Sequence, residues 1–306
     1  MKVAALAGGV GGSKLLVGLQ RALPDGALAA IVNTADDAVI YDMHVSPDVD
    51  IVTYWLAGIA HTARGWGIKD DTFSVIDSMA RLGVETWFRL GDRDMGTCMH
   101  RTSMMRQGVT LSTVTDEIRD ALGVPTRILP MSDDPVATRI DTTDGRTLEF
   151  QEYFVKERCE PEVARVRFAG IADAKPAPGV IEVLQDADIV ILCPSNPVVS
   201  IAPILSVPTV RDTLKEHPDV VAVSPIVDGR ALKGPAARLM PTVDAEVSAP
   251  GVAGLYADFC NRFVVDRIDA QEAPRVEELG LEVRVLDTVM SDHDRSEALA
   301  HALLDG

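Results

Sequence analysis

The chain has 306 residues, 47% of them hydrophobic, and sets 46 acidic against 29 basic side chains for a formal charge of -17. That length buries a sizeable core, and so acidic a balance excludes a sequence-independent grip on nucleic acid or on an anionic membrane. Four widely spaced cysteines make neither a disulfide framework nor a zinc motif, and no run reaches the roughly eighteen apolar residues of a membrane helix, so a cytoplasmic globular protein is expected.

The first predicted element is a strand over 3–7, apolar on both faces as a strand inside a parallel sheet must be. It runs into Gly8, Gly9, Gly11 and Gly12, which are expected to supply positive φ angles and let a phosphate approach the backbone. Ser13 is expected to cap a helix continued by Lys14, Leu15, Leu16, Leu19 and Leu23. Amides at such a helix start face an anion. The loop lacks the closing Gly-Lys-Ser/Thr of a Walker loop, and Lys14 stands where the dinucleotide fingerprint needs its third glycine. It therefore indicates a nucleotide or phosphate without saying which, and a tight turn with no ligand is the plain alternative.

Further strand-like cores at 28–32, 189–192, 220–223 and 281–286, each beside a helical pattern, predict an α/β fold with a Rossmann-like, doubly wound, mostly parallel sheet. Residues 1–50 and 180–306 are its nucleotide-binding core. The stretch 51–179 reads differently, with helices near 47–58 and 70–82 and a hairpin turning at Asp144-Gly145 between 138–141 and 147–150. It is expected to be an inserted helical and small β lobe covering the sheet edge, with Pro176, Pro178 and Gly179 marking the return. Ligands of such sheets bind at the carboxyl ends of strands, where strand order reverses. The segments at those ends are 8–13, 33–37, 194–197 and 224–226.

Asp36 and Asp37 follow the second strand, and Asp48 and Asp50 open the next helix. Four hard carboxylates at one rim suit Mg2+, which keeps several waters and bridges to phosphates. Ser46 as N-cap, Pro47 at the first helical position and the helix dipole also account for the second pair without a metal. That is the preferred reading of Asp48, while Asp50, deeper in the helix, stays open between the two. The run 89–94 offers arginines that clamp an anion bidentately or an ion-paired solvated turn. The loop 131–135 reads as a turn, and Lys233-Gly234-Pro235 as a phosphate turn or mere punctuation. Ser195 and Asn196, held between Pro194 and Pro197, are rigid polar groups suited to a base, ribose or phosphate. No Gly-x-Ser-x-Gly elbow surrounds Ser195, which argues against a nucleophile. The six histidines show no metal-ligand spacing and read as structural or exposed.

Taken together, Ala7-Gly8-Gly9-Val10-Gly11-Gly12, Asn33-Thr34-Ala35-Asp36-Asp37, Ser46-Pro47-Asp48-Val49-Asp50, Gly65-Trp66-Gly67, Leu90-Gly91-Asp92-Arg93-Asp94, Met131-Ser132-Asp133-Asp134-Pro135, Pro194-Ser195-Asn196-Pro197 and Ser224-Pro225-Ile226 resemble the 2-phospho-L-lactate transferase (CofD/FbiA) family of coenzyme F420 biosynthesis. The resemblance spans nearly the whole chain. It implies an enzyme that moves a 2-phospholactyl or phosphoenolpyruvyl group from its GDP-linked form to the terminal ribitol hydroxyl of the deazaflavin Fo, releasing GMP. It implies that Gly8, Gly9, Gly11, Gly12, Ser13, Lys14, Asn33, Thr34, Ser195, Asn196, Pro197 and Ser224 surround the guanosine diphosphate. It implies Asp50, Arg89 and Asp92 at Fo, Mg2+ on Asp36 and Asp50, and a homodimer. Asp50 either orients or deprotonates the hydroxyl or ligates the metal, roles that compete. Val49 and Ile51 stand where leucine and threonine are common, and Asp42 where glycine often occurs. The glycine loop and Gly65-Trp66-Gly67 look closer to bacterial members, which favours the enolpyruvyl donor.

Two other classes remain in view. A non-enzymatic nucleotide or nucleotide-sugar binding regulator resembling the YvcK family shares the glycine loop and the acidic pair, but there a Gly-Gly-Ser-Ser-Gly stretch follows where Ala38-Val39-Ile40 stands here. An NAD-dependent oxidoreductase wants the missing third glycine, and no catalytic set for it is evident.

Overall fold

The computed structural model describes residues 1–231 and 234–305, so Lys233 of the 233–235 turn lies outside the described residues. Seven strands form the central sheet: β1 (Val3–Ala7), β2 (Leu28–Val32), β3 (Arg127–Pro130), β4 (Ile189–Leu192), β5 (Val220–Val223), β6 (Arg262–Asp266) and β7 (Glu282–Leu286). Their order is β7-β6-β5-β4-β1-β2-β3, with every neighbouring pair parallel. This is the doubly wound, Rossmann-like arrangement expected from the sequence. The order reverses between β1 and β4, so the crevice of the fold opens there.

Alternation along the strands explains why both faces are apolar. Ala4, Leu6, Ile31, Leu129, Val190, Leu192 and Ala222 enter one core layer, while Val3, Ala5, Ala7, Ala30, Val32, Ile191 and Val221 enter the other. Each fully buried leucine, isoleucine or valine contributes about 1.5–3 kcal/mol over exposure, so neither layer is dispensable. Helix α1 (Gly9–Ala22) lays Leu15, Leu16 and Leu19 on the second layer, together with helix α2 (Pro47–Leu56) and the helix His293–Leu304. Helices Val180–Asp186, Val210–Glu216 and Ala249–Tyr256 cover the first.

One strand of this sheet comes from within 51–179. β3 pairs with β2 along the outer edge, carried there by helices α4 (Asp92–Arg106) and α5 (Leu111–Ala121), after the short α3 (Ser74–Arg81). The expected hairpin is present as Ala137–Thr142 against Thr147–Glu149, extended by Val163–Ala169 into a three-stranded antiparallel sheet. A second small hairpin, Ala38–Ile40 with Met43–Val45, precedes α2. Its turn residues Tyr41 and Asp42 are left-handed, at φ 51° and 59°. Aspartate tolerates that region better than most residues, so Asp42 serves where the family often has glycine.

The glycine loop differs from its expectation in two ways. Helix α1 begins at Gly9, four residues ahead of Ser13, whose hydroxyl donates back to the Gly9 carbonyl at 2.7 Å. Of the four glycines only Gly9 has a positive φ, 62°. The other three are needed for close approach: a Cβ on Gly11 would lie 2.3 Å from the Pro194 carbonyl oxygen, one on Gly12 2.5 Å from Ser195 Oγ, and one on Gly8 2.3 Å from Asp48 Oδ2.

Candidate active site

The crevice between β1 and β4 is walled by the start of α1 and the loop after β4. Ser195 bridges them. Its Oγ accepts from the Gly8 N–H at 3.0 Å and donates to the Gly8 carbonyl at 2.8 Å. Beside it Asn196 caps the turn Pro197–Ile201, its Oδ1 accepting from the Val198 and Val199 amides at 3.0 and 3.3 Å. The buried Asn196 Nδ2 has no hydrogen-bond partner among the described residues, an unspent donor beside the glycine loop.

Asp48 forms the third wall. Helix α2 advances about 100° per residue, so Asp48 and Asp50 leave it in different directions. Asp48 turns toward the glycine loop, where its Oδ1 accepts from Gly9 N–H at 2.8 Å and its Oδ2 from Asn33 Nδ2 at 2.9 Å. The amide end of α1 is thus capped by a carboxylate from another helix, because its own N-cap, Gly8, has no side chain to do so. Asn33 also donates to the Val199 carbonyl and accepts from the Ala35 amide, fixing the end of β2. Helix-start propensity alone did not foretell this role for Asp48.

Around this wall lies a buried acidic rim. Asp36 accepts from Thr138 Oγ1 at 3.0 Å, and Asp37 accepts from Ser46 Oγ at 2.7 Å and meets His44 Nε2 at 2.8 Å. Burial first, then the charge of Asp48, pushes Asp36 well above the usual carboxylate range. Burial raises Asp37 against the pull of His44, and it raises Asp48 to about 6 against its bonds from Asn33 and Gly9. Asp50 faces a different set. Both its oxygens accept from the buried Arg101 of α4, Oδ2 from Nη1 at 3.1 Å and Oδ1 from Nη2. Next to it burial, and then Asp50, lift Asp94 to about 7, while Tyr54 OH donates to Asp94 at 2.8 Å. Single ligand atoms of Asp50, Asp94 and Cys98 lie within 4.8 Å of one another. Burial holds the Cys98 proton on, however, and a soft thiol is a poor partner for Mg2+.

The other expected site residues are placed as follows. Gly8, Gly9, Gly11, Gly12, Asn33, Ser195, Asn196 and Pro197 gather at the crevice. Lys14 sends its ammonium to the Met290 carbonyl at 2.6 Å. Ser224 closes its own turn on Ile226, and Thr34 is buried beside the rim. Arg89 is exposed on the lobe, over the Phe73 ring at 4.7 Å and 3.2 Å from Asp77. Asp92 holds the loop before α3, accepting from Thr72 Oγ1 and from the Ser74 and Val75 amides. Arg64 stacks over Trp66 at 4.6 Å and near Phe73 at 5.2 Å, so cations and aromatic rings share this face of the lobe. Asp94 lies in the 89–94 run, but its partner Tyr54 and the Asp50 partner of Arg101 are 40 and 51 residues away, so no local pattern assigns either role.

Comparison with known proteins gives the family. The family described as 2-phospho-L-lactate transferase CofD matches residues 3–303. A 2-phospho-L-lactate transferase of Methanosarcina mazei is 40% identical over 297 residues, 97% of either chain. A phosphoenolpyruvate transferase of Streptomyces griseus is 40% identical over 311 residues, covering 100% of this chain and 98% of its own. A crystal structure of a UPF0052 family protein from Bacillus halodurans superposes with a TM-score of 0.66 at 17% identity, covering 99% of this chain and 98% of that one, a likeness of fold alone. With a family match over almost every residue and full-length relatives at such identity, the chain belongs to the 2-phospho-L-lactate transferase CofD family and is a transferase of that type.

Proposed function

We propose that the protein transfers a phosphoenolpyruvyl or 2-phospholactyl group from its GDP-linked form to the terminal ribitol hydroxyl of the deazaflavin Fo, releasing GMP and forming the (dehydro) F420-0 precursor of coenzyme F420. The observation that carries the reading is the glycine loop at the strand-order reversal, held by Ser195 and bordered by buried carboxylates. With the Gly8 and Gly9 amides taken by Ser195 and Asp48, the next amides of the first turn of α1, Val10 and Gly11, and the Asn196 Nδ2 donor suit the diphosphate and its nucleoside. The lobe face with Arg89, Phe73 and Trp66 offers rings and cations to a planar acceptor.

The rim residues fit a hard divalent cation: the donors are oxygens, and Asp36 is crowded by Asp48 and Asp37 in a buried place. The family resemblance assigns Mg2+ to Asp36 and Asp50, but Asp50 faces a different set with both oxygens on Arg101, so of the two Asp36 is the ligand that fits; bound there, the ion would offset the charge that builds on phosphorus oxygens during transfer. The chain's own residues then bind and orient: Ser195 and Asp48 set the shape of the glycine loop, and Asp50 faces the acceptor hydroxyl. Catalysis of this kind is mostly positioning and electrostatics. A homodimer in the cytoplasm completes the reading.

Mass spectrometry of the product made from Fo with each GDP-linked acid tests the reaction and identifies the donor. In the same assay Asp50→Ala is expected to abolish Fo-dependent GMP release while GDP binding, read by calorimetry, survives. Retained turnover in Asp50→Ala removes Asp50 from the mechanism, and absence of GDP binding in the parent protein removes the reading itself.

A further inference from the structure

We infer that Arg101 is a positioning residue of the transfer site, holding both oxygens of Asp50 so that the carboxylate presents its remaining lone pairs to the acceptor hydroxyl. This rests on the proposed role of Asp50. The side chain of Arg101 is 1% exposed and that of Asp50 8%, so neither charge is there for solubility. Nη1 and Nη2 each reach one carboxylate oxygen, and Nη1 also donates to the His44 carbonyl at 3.2 Å. A carboxylate has about four lone-pair positions, so a bidentate clamp leaves two in use and two open while removing rotation about the side chain.

A purely structural role explains the pair poorly. Apolar residues of similar volume commonly hold two helices together at least as well as a buried ion pair. Moreover, Arg101 Nε is buried with no hydrogen-bond partner among the described residues, a defect that stability alone would not maintain. The helix that carries Arg101 also reaches the acceptor face. Asp92 at the start of α4 grips Thr72 and the first turn of α3 at Ser74 and Val75, beside Phe73, and Arg101, more than two turns on, grips Asp50. One rigid element therefore fixes both the lobe loop and the carboxylate across from it.

Thr102 supplies an internal control. Its Oγ1 accepts from the His44 amide at 2.7 Å, tying the same helix to the same strand without touching Asp50. Arg101→Gln, Arg101→Lys and Thr102→Val are to be compared with the parent and with Asp50→Asn. The measurements are melting temperature, GDP affinity and stoichiometry by calorimetry, Fo affinity from the fluorescence of the deazaflavin, and turnover per GDP-binding site. Arg101→Gln is expected to lose about tenfold in Fo affinity and about 100-fold in turnover per site with GDP affinity unchanged, and Arg101→Lys to recover part of both. Thr102→Val is expected to lower the melting temperature yet keep turnover within about threefold. Turnover per site in Arg101→Gln near the parent's, or an equal loss in Thr102→Val, overturns the inference. Should Arg101→Gln fail to fold, Arg101→Lys decides by the same readouts. Full activity in Asp50→Asn would instead refute the proposed role of Asp50, whichever way Arg101 behaves.

Discussion

A methyl group at Gly11 should be costly although the backbone there is ordinary helix. Its Cβ would sit 2.3 Å from the Pro194 carbonyl oxygen, more than 1 Å inside the 3.4 Å at which ordinary contact begins. Both partners are backbone, so no side-chain rotation relieves the clash; α1 or the loop after β4 must move by about that distance. Overpacking of this kind costs about 1–3 kcal/mol, and the intrinsic gain of alanine over glycine in a helix returns only about 0.5–1 kcal/mol. Gly11→Ala should thus destabilise by about 1 kcal/mol, and by about 2.5 kcal/mol at most. Because the displaced elements are the two walls of the crevice, GDP affinity should fall with it. Gly96→Ala is the matched control. Gly96 is exposed in α4 with nothing within 4 Å of its Cβ position, so there the same substitution should stabilise by about 0.5–1 kcal/mol. Urea midpoints for the two variants and calorimetric titration with GDP are the assay. A Gly11→Ala protein as stable as Gly96→Ala, or one that binds GDP as the parent does, would refute the close-packing account of the loop.

Ser195→Ala removes the bridge to Gly8, leaving a buried amide and carbonyl without it, and should cost about 1–3 kcal/mol by urea denaturation and weaken GDP binding; a variant with parental stability would show that the bridge is idle. Asp48 predicts a pH effect in metal-free buffer. Its carboxyl titrates at about 6 in the fold against 3.8 ordinarily, so the native state holds the proton more tightly and unfolding releases it between those values. Stability from this group is therefore present at low pH and lost as pH rises from about 4 to about 6, by at most about 3 kcal/mol at 1.36 kcal/mol per unit. Urea midpoints measured with chelator at pH 4.5 and 7 should differ less in Asp48→Asn than in the parent, and an unchanged difference would sink the assignment.

How far the fold is legible depends on where each strand's partners lie. β2, β4 and β5 are apolar at every position, and their boundaries follow from composition because a strand buried on both faces admits little else. β3 and β6 escape the same reading for a physical reason. β3 begins with Arg127 and ends with Pro130, which an edge strand tolerates and a central one does not. β6 is wholly buried yet bounded by Arg262 and Asp266, whose main partners lie out of sequence reach: Arg262 pairs with Asp219 at 2.7 Å, and Asp266 accepts from the Thr288 amide and hydroxyl as well as from the nearby Ile268 amide. Polar termini look like loop until those partners are known.

The site divides along the same line. A cluster of glycines is visible as a string, but its cause here is mostly the approach of Pro194, Ser195 and Asp48, and only Gly9 uses a left-handed φ. Asp48 and Asp50 show the limit most sharply. Two acids in the first turn of a helix satisfy the dipole equally well, and depth in the helix, which set Asp50 apart from Asp48 in the sequence, does not tell which distant partner each meets. Two residues' advance along the helix, about 200°, sends one to the amide of Gly9 and the other to a guanidinium 51 residues away. Local propensity thus tells where an acid is tolerated, whereas its chemistry is decided by which distant element the topology brings to that face. For this reason the partners Gly9 and Arg101, more than the acids themselves, are the positions at which substitution will distinguish a helix-start carboxylate from a working one.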